Sequence, residues 1–308
     1  MKVSVIIPNY NGEVLLKENL PKVVEAMVKD SEIIIVDDGS KDDSCSIVLN
    51  LKSKTQLPVR LFRNEKNMGF SSTANKGVRN AKGDIVFLLN TDAYPDKNFL
   101  VPILEDFKDP QVFAVGCLDK SLENGRTVLR GRGVGKWQKG FLVHSKGRTD
   151  KNNTLWASGG SSAFRKSLWI KLGGLDEIYN PFYWEDIDIS YRALKSGYKI
   201  LFDPRSIIFH EHHKGAIRRG YSEFAIRTIA YKNQFIFVWK NATDFFLQIK
   251  HVLFLFYHFG RAIKNRDLAF FLGFFKAFVL LPKIIKSSFK VQKDFILSDS
   301  KVIEGFRE

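Results

Sequence analysis

The run VFLLNTDAYP (86–95) carries an apolar, strand-like segment straight into Thr91 and Asp92, after which Tyr94 and Pro95 stop it. A carboxylate there is a hard oxygen ligand suited to Mg2+ or Mn2+, ions that take one or two protein carboxylates and leave the rest to substrate phosphates. An Asp can equally open a turn before Pro. In IVDDGSKDDS (35–44) two acids, Asp37 and Asp38, close another strand just ahead of a helix. They would repel a phosphate, and neither GxxxxGKS nor GxxxxGKT occurs in the chain. The pair therefore suits a base N–H or ribose hydroxyls, or else caps the helix. FYWEDIDIS (182–190) places Glu185 and Asp186 at a helix start behind Phe182, Tyr183 and Trp184. Aromatic faces match the C–H surface of a sugar and the acids accept its hydroxyl protons, although acids at a helix N-terminus are favourable whatever the function. In FHEHHKG (209–215) only His212 shares a strand face with His210, so one imidazole is available as an extra metal ligand and a full zinc site is not. Lys214, Arg218 and Arg219 follow in a loop able to fold over a diphosphate.

The elements that must position these residues alternate over the first hundred positions. Short β-branched runs at 3–8, 32–37, 58–62 and 84–90 read as strands covered on both faces. Helical patterns occupy 14–28, 42–52 and 71–80 between them. That order predicts an open parallel sheet, and such sheets bind ligands beyond the carboxyl ends of their strands. PNYN, DDGS and NTDA then lie along one rim of one crevice. From about 96 to 208 the pattern is mixed, with short strands at VFAVG, KILFDP and SIIFH. SGGSSAFRKSLWIKLGG (158–174) reads as a loop and a short helix, and 185–197 as a helix with an Asp188 to Arg192 pair four apart.

The whole chain has 308 residues, 44% hydrophobic and 26% charged, which is a globular composition with room for a large core. The N-terminus MKVSVIIPNYNG is unlike a signal peptide and points to residence in the cytosol. Cys45 and Cys117, the only cysteines, have no metal-ligand spacing, so both are expected in the core. The formal charge of +15 is concentrated late: positions 214–293 hold fifteen Lys or Arg against three acids. Positions 235–278 add fourteen aromatics without an uncharged apolar run long enough to span a bilayer. Helices lying in a membrane interface have this composition, as does a buried helical subdomain or a dimer surface. A basic nucleic-acid-binding protein would also carry such a charge, but acids rim the predicted crevice and the tail is too apolar for a phosphate-tracking surface. A nucleotidyltransferase would need a basic Gly-rich phosphate loop after the first strand, where PNYNGE stands.

Five blocks in order, VSVIIPNYNG, IIIVDDGSKDDS, NMGFSSTANKGVRNAKGDIVFLLNTDAYPD, ASGGSSAFRKSLWIKLGGLDE and FYWEDIDISYRALKSGYKI, resemble the family 2 inverting glycosyltransferases, most of all their rhamnosyltransferase-like branch. The resemblance covers roughly 2–215. It implies an α/β GT-A fold at 1–215: a Rossmann-like nucleotide-sugar-binding half at 1–95 fused to a mixed acceptor and catalytic half at 96–215. A basic, aromatic-rich, amphipathic helical extension at 216–308 is then expected to lie on an anionic membrane. By resemblance, Pro8, Tyr10 and Asp38 surround the base and ribose, and Asn67, Gly69 and Asn75 line the donor cleft; Thr91 is expected on the same donor side, and the basic loop supplies Lys214, Arg218 and Arg219 to the diphosphate. Asp92 and His210 take a divalent cation, Mg2+ or Mn2+. Asp186 is the catalytic base, with Gly159, Gly160, Trp184 and Glu185 on the acceptor side. The first acid of the family's DXD motif is absent, Asn90 and Thr91 preceding Asp92. The implied reaction moves a hexose from dTDP-rhamnose or a UDP-sugar to a saccharide or lipid-linked acceptor for cell-surface polysaccharide, at the inner face of the cytoplasmic membrane and without nucleic acid.

Overall fold

The computed structural model describes residues 1–123, 125–210 and 220–306. The expected strands form as β1 (Val3–Asn9), β2 (Ser31–Asp37), β3 (Val59–Arg63) and β4 (Ile85–Leu89). They alternate with α1 (Glu13–Ala26), α2 (Ser44–Lys54) and α3 (Phe70–Asn80). All four strands run parallel in the order β3-β2-β1-β4. Successive strand residues point to opposite faces, and that period divides the core into two. Val5, Ile7, Ile33 and Ile35 join one apolar cluster, whereas Ile6, Ile34 and Val36 join the other.

Beyond β4 the sheet changes character. β10 (Ser161–Arg165) pairs antiparallel with both β4 and β6 (Val112–Glu123), and β11 (Lys199–His210) runs parallel to β6. β5 (Ala93–Pro95) closes that edge antiparallel to β11, and β7 (Arg126–Arg130) adds to β6. A separate hairpin joins β8 (Gly133–Gln138) to β9 (Phe141–Lys146). Two expectations change here. Residues 161–165, read as loop, form a central strand, because burial between two neighbours overrides the loop-like Ser content. KILFDP and SIIFH are one strand whose register shifts between Asp203 and Ile207.

The helices past residue 220 are not a uniform appendage. α7 (Glu223–Asn241) buries Phe235, Ile236, Phe237 and Val238 in the same cluster as Ile6 and Phe164. Four consecutive buried apolar residues show a helix covered on every side, so the expected extension from 216 loses its first helix to the core. α7 also sends Lys240 and Asn241 to Asp188 of α6 (Glu185–Lys195). α8 (Phe245–Lys264), α9 (Leu268–Val279) and α10 (Leu281–Gln292) follow, and α9 lies directly on α7. A Cβ on Gly273 would stand 2.6 Å from that of Tyr231. The short α11 (Asp299–Glu304) returns Asp299 to Lys195, 3.0 Å away. Among the described residues no single helix is long and apolar enough to cross a membrane; α9 and α10 meet that length and composition only together, across a 65° bend. Cys117 is buried and Cys45 half-buried, both unpaired with each other.

Candidate functional site

A cleft of about 1,210 Å³ runs along the carboxyl ends of β1, β2 and β4 and beneath the start of α6. Pro8, Tyr10, Asp38, Asn67, Gly69, Thr91, Asp92, Gly159, Gly160, Glu185, Asp186 and His210 all line it. The structure therefore brings together side chains separated by up to two hundred positions in the chain.

Each wall has its own cause. Asp38, just beyond β2, accepts from Asn64 Nδ2 at 2.8 Å and from the backbone N–H groups of Met68 and Gly69 at 2.9 Å each. It thereby shapes the 64–69 loop, and Gly69 makes this possible with a φ of +88° that a side chain would strain. Neither Asp37 nor Asp38 caps α2, whose N-cap is Asp43. The opposite edge is set by strand register. Ala93 of β5 faces His210 of β11, and Ile208 of β11 faces Asp119 of β6. His210 consequently sits between two carboxylates, with Nε2 3.0 Å from Asp92 Oδ1 and Nδ1 2.8 Å from Asp119 Oδ2. Burial lowers the His210 pKa, but the hydrogen bonds and charges of Asp119 and Asp92 outweigh it and raise the value to about 9. Asp119 was not foreseen from the sequence; its only signal is its pairing register two strands away from Asp92.

Once a cation displaces the proton that His210 Nε2 shares with Asp92, the two offer one carboxylate and one imidazole at a single point, with Asp119 orienting the ring as carboxylates do behind metal-bound histidines. Two donors suit a Mn2+ or Mg2+ ion whose remaining positions are filled by phosphate and water. Among the described residues no three His, Cys, Asp or Glu side chains make a cage by themselves. Lys214, Arg218 and Arg219 lie outside the described residues, as does His212. Of the described residues lining the cleft, the basic ones are His210 and Arg130, and Arg130 is committed to Glu123 at 2.6 Å.

The acid wall is built on a strained turn. Tyr183 and Trp184 both adopt left-handed backbone, φ 71° and 76°, immediately before α6. Non-glycine residues so placed cost about 1–3 kcal/mol each and cluster at functional sites. Asp186 accepts from the N–H of Gly159 at 3.2 Å, while the carbonyl of Gly160 accepts from Asn90 N–H at 2.9 Å. Residues 159–160 thus bridge the Asp92 side to the Asp186 side. A Cβ on Gly160 would come within 2.3 Å of Asn90 Nδ2, so a larger residue there must displace the Asn90 side chain. Burial and the charge of Asp186 push Glu185 up to about 8, and Glu185 Oε2 is buried without a hydrogen-bond partner. Burial raises Asp186 as well, against the backbone N–H groups of Gly159 and Ile187. Of the pair, Glu185 keeps its proton at neutral pH.

Two anticipated residues are placed elsewhere. Asn75 hydrogen-bonds the backbone of Leu175 in both directions, at 2.7 and 3.0 Å, and holds that loop to α3. Trp184 is only 6% exposed and packs on Phe237 and His144, since the left-handed turn rotates it inward. Its neighbour Tyr183 lines the cleft instead, with Phe182 and Tyr221 making edge-to-face contacts at ring separations of 4.9 Å.

A family model described as "Glycosyl transferase family 2" matches residues 4–173. The chain is 25% identical over 218 residues to the O-antigen chain rhamnosyltransferase RfbN of Salmonella typhimurium, covering 69% of this chain and 67% of that protein. It is 26% identical over 211 residues to the poly-beta-1,6-N-acetyl-D-glucosamine synthase of Staphylococcus aureus, covering 66% of this chain but 48% of the synthase, about half its length. Among solved structures it resembles GalNAc-T7 with UDP, GalNAc and Mn2+ (TM-score 0.63, 22% identity, 77% of this chain and 47% of that one). It also resembles S. aureus TarS in complex with UDP-GlcNAc (TM-score 0.59, 18% identity, 100% and 92%). These likenesses establish the GT-A fold.

Because Glu185 binds its proton more tightly in the fold, the stability this brings is complete below the ordinary value of 4.5 and is lost as pH rises through about 8. Glu185→Gln keeps the neutral shape and does not titrate. Its melting temperature should match the wild type at pH 5 and exceed it by several degrees at pH 9; a constant difference across that range would contradict the assignment.

Proposed function

The chain belongs to glycosyl transferase family 2, and from that membership we propose that it moves a hexose from a nucleoside-diphosphate sugar to a saccharide or lipid-linked acceptor with inversion at the anomeric carbon. The observation that carries this reading is a single cleft with Asp38 on one wall, Asp92 and His210 at one edge and Asp186 on the wall beneath Gly159. The similarity to a rhamnosyltransferase and to a hexosamine polymer synthase favours dTDP-rhamnose or a UDP-sugar as donor and a cell-surface polysaccharide as product.

In this mechanism the nucleotide lies along Pro8, Tyr10 and the loop that Asp38 organises, leaving the sugar between Thr91 and Gly160. A divalent cation, when bound at Asp92 and His210, would supply charge neutralisation for the diphosphate. Asp186 accepts the acceptor hydroxyl's proton, and the oxygen forms its bond to the anomeric carbon as the bond to the diphosphate breaks. Glu185, protonated, offers a hydrogen bond to the acceptor, and Tyr183 with Tyr221 gives its rings a face to rest on. Asp186→Asn should bind donor normally yet transfer sugar at least ~100-fold more slowly, the usual loss of a general base; near-normal turnover would refute the role. Chelation by EDTA, and separately Asp92→Ala, should weaken calorimetric binding of the nucleotide sugar; unchanged affinity in both would remove the cation from Asp92.

The reading extends to an anionic bilayer at the cytoplasmic face. Phe246, Phe256 and Phe289 on α8 and α10 are 75%, 79% and 77% exposed. Exposed Lys250, Arg261, Lys283, Lys286, Lys290 and Lys293 stand among them. Exposed phenylalanines interspersed with exposed cations along these helices fit an interfacial helix group, each cation adding ~1 kcal/mol near anionic lipid. The wild type should float with phosphatidylglycerol vesicles while the triple variant Phe246→Ser, Phe256→Ser, Phe289→Ser stays behind. Equal partition of the two would end the interfacial reading.

A further inference from the structure

The turn that presents Glu185 and Asp186 does not hold itself in place. Tyr183 and Trp184 are large aromatic residues in left-handed backbone, and α6 begins directly after them. The groups that restrain this turn come from α7, fifty residues later and beyond the 4–173 span matched by the family model. Asn233 is wholly buried, and its Nδ2 stands 2.8 Å from each of the carbonyl oxygens of Tyr179, Phe182 and Tyr183. An amide nitrogen has two hydrogens, so three carbonyls share them. The orientation is unambiguous, because the reversed amide would set its oxygen against three others. Asn233 Oδ1, turned away, is buried with no partner, a cost that the chain accepts for the sake of the donor end. One residue earlier, Lys232 is 8% exposed and donates from Nζ to the carbonyl of Asn180 at 2.8 Å. The Asn180 side chain in turn donates to Met68 O at 2.8 Å and Ser72 Oγ at 3.1 Å, tying the turn to the loop shaped by Asp38.

We propose that Lys232 and Asn233 are positioning residues for sugar transfer: by holding the carbonyls of residues 179–183 they keep the left-handed turn that aims Glu185 and Asp186 into the cleft. The proposal rests on the reading of Asp186 as the base. Neither side chain lines the cleft; the charge of Lys232 also favours the ionised form of Glu185 directly, whereas the neutral Asn233 acts through the turn. Without these donors the carbonyls of the buried Tyr179 and Phe182 each lose a hydrogen bond, and the turn relaxes toward ordinary backbone, carrying the carboxylates with it. Misplacement of about an ångström costs up to ~100-fold in rate. Donor contacts come from β1, β2 and β4 and should be affected far less.

The test compares wild type, Lys232→Met, which keeps the apolar stem, and Asn233→Ser, which withdraws the amide. The readouts are melting temperature, amide hydrogen exchange by peptide, and steady-state kinetics with the nucleotide sugar that wild type uses. The expected result is exchange at 179–188 at least ~10-fold faster with 3–37 unchanged, kcat lowered about 10- to 100-fold, and donor KM within threefold. If Asn233→Ser does not fold, Lys232→Met decides alone. Two results would overturn the proposal: exchange at 179–188 as slow as in wild type, or wild-type kcat in a variant whose turn exchanges fast. A merely structural role would lower the melting temperature and raise exchange throughout without a selective loss of kcat. A wild type inactive on every nucleotide sugar would instead fell the underlying reading, an outcome distinguishable from both.

Discussion

A carboxylate taken wholly out of water must be surrounded by donors, and Asp188 is the place where this protein meets that demand. It is 0% exposed and receives Arg192 Nε at 2.8 Å, Lys240 Nζ at 2.9 Å, Asn241 Nδ2 at 2.8 Å and the Tyr179 hydroxyl at 2.9 Å. Burial alone would raise its pKa; Arg192 and Lys240 more than reverse this and hold the group ionised. Lys240 continues to Asp176 at 2.7 Å. One buried charge therefore fastens α6, α7 and the segment before the strained turn to one another. Two residues along a helix turn the side chain by about 200°, so with Asp188 pinned inward Asp186 must face outward to the cleft. Such a cluster is no large net source of stability, yet loss of one member leaves opposite charge unpaired at about 3–5 kcal/mol. Its value is that it fixes the rotation of the helix that bears the acids.

The other half of the site is a matter of register. In the parallel half of the sheet the ends of β1, β2 and β4 coincide, which is enough to collect Pro8, Asp38 and Asp92. The antiparallel addition of β5 to β11 then sets Asp92 against His210, and the parallel pairing of β11 with β6 sets Asp119 behind it. The 159–160 bridge spans the gap from there to Asp186. Donor and acceptor sides are thus two independent constructions joined by a glycine pair and, further out, by Asn180.

What could be read in advance follows from this division. The first four strands and three helices were legible because each is a local pattern, and the rule that ligands gather at strand ends needs no knowledge of distant contacts. That rule puts Asp38 and Asp92 on one rim, while Asp186 is singled out by the aromatics before its helix and by the family resemblance; all three line the one cleft. Residues 161–165 were missed because nothing local distinguishes a Ser-rich loop from a strand made by its neighbours. The resemblance sets Trp184 on the acceptor side, but the left-handed turn buries it and leaves Phe182 and Tyr183, of the same three aromatics, on the cleft. Composition alone leaves both an interfacial tail and a buried helical subdomain open for α7, and only the buried partners of Lys232 and Lys240, namely Asn180, Asp176 and Asp188, decide for the core. Asn233 and Asp119 carry no local signal at all; their meaning exists only in the packed chain.

The account's central claim is that one cleft holds an activated sugar with Asp186 on the side opposite its leaving group. A crystal structure with an intact nucleotide sugar and Mn2+ tests this most directly. The account predicts the diphosphate against Asp92 and His210 and the anomeric carbon turned toward Asp186, with the base of the nucleotide along Tyr10 and Asp38. A sugar bound outside this cleft, or an Asp186 carboxylate on the same side of the ring as the diphosphate, would contradict it.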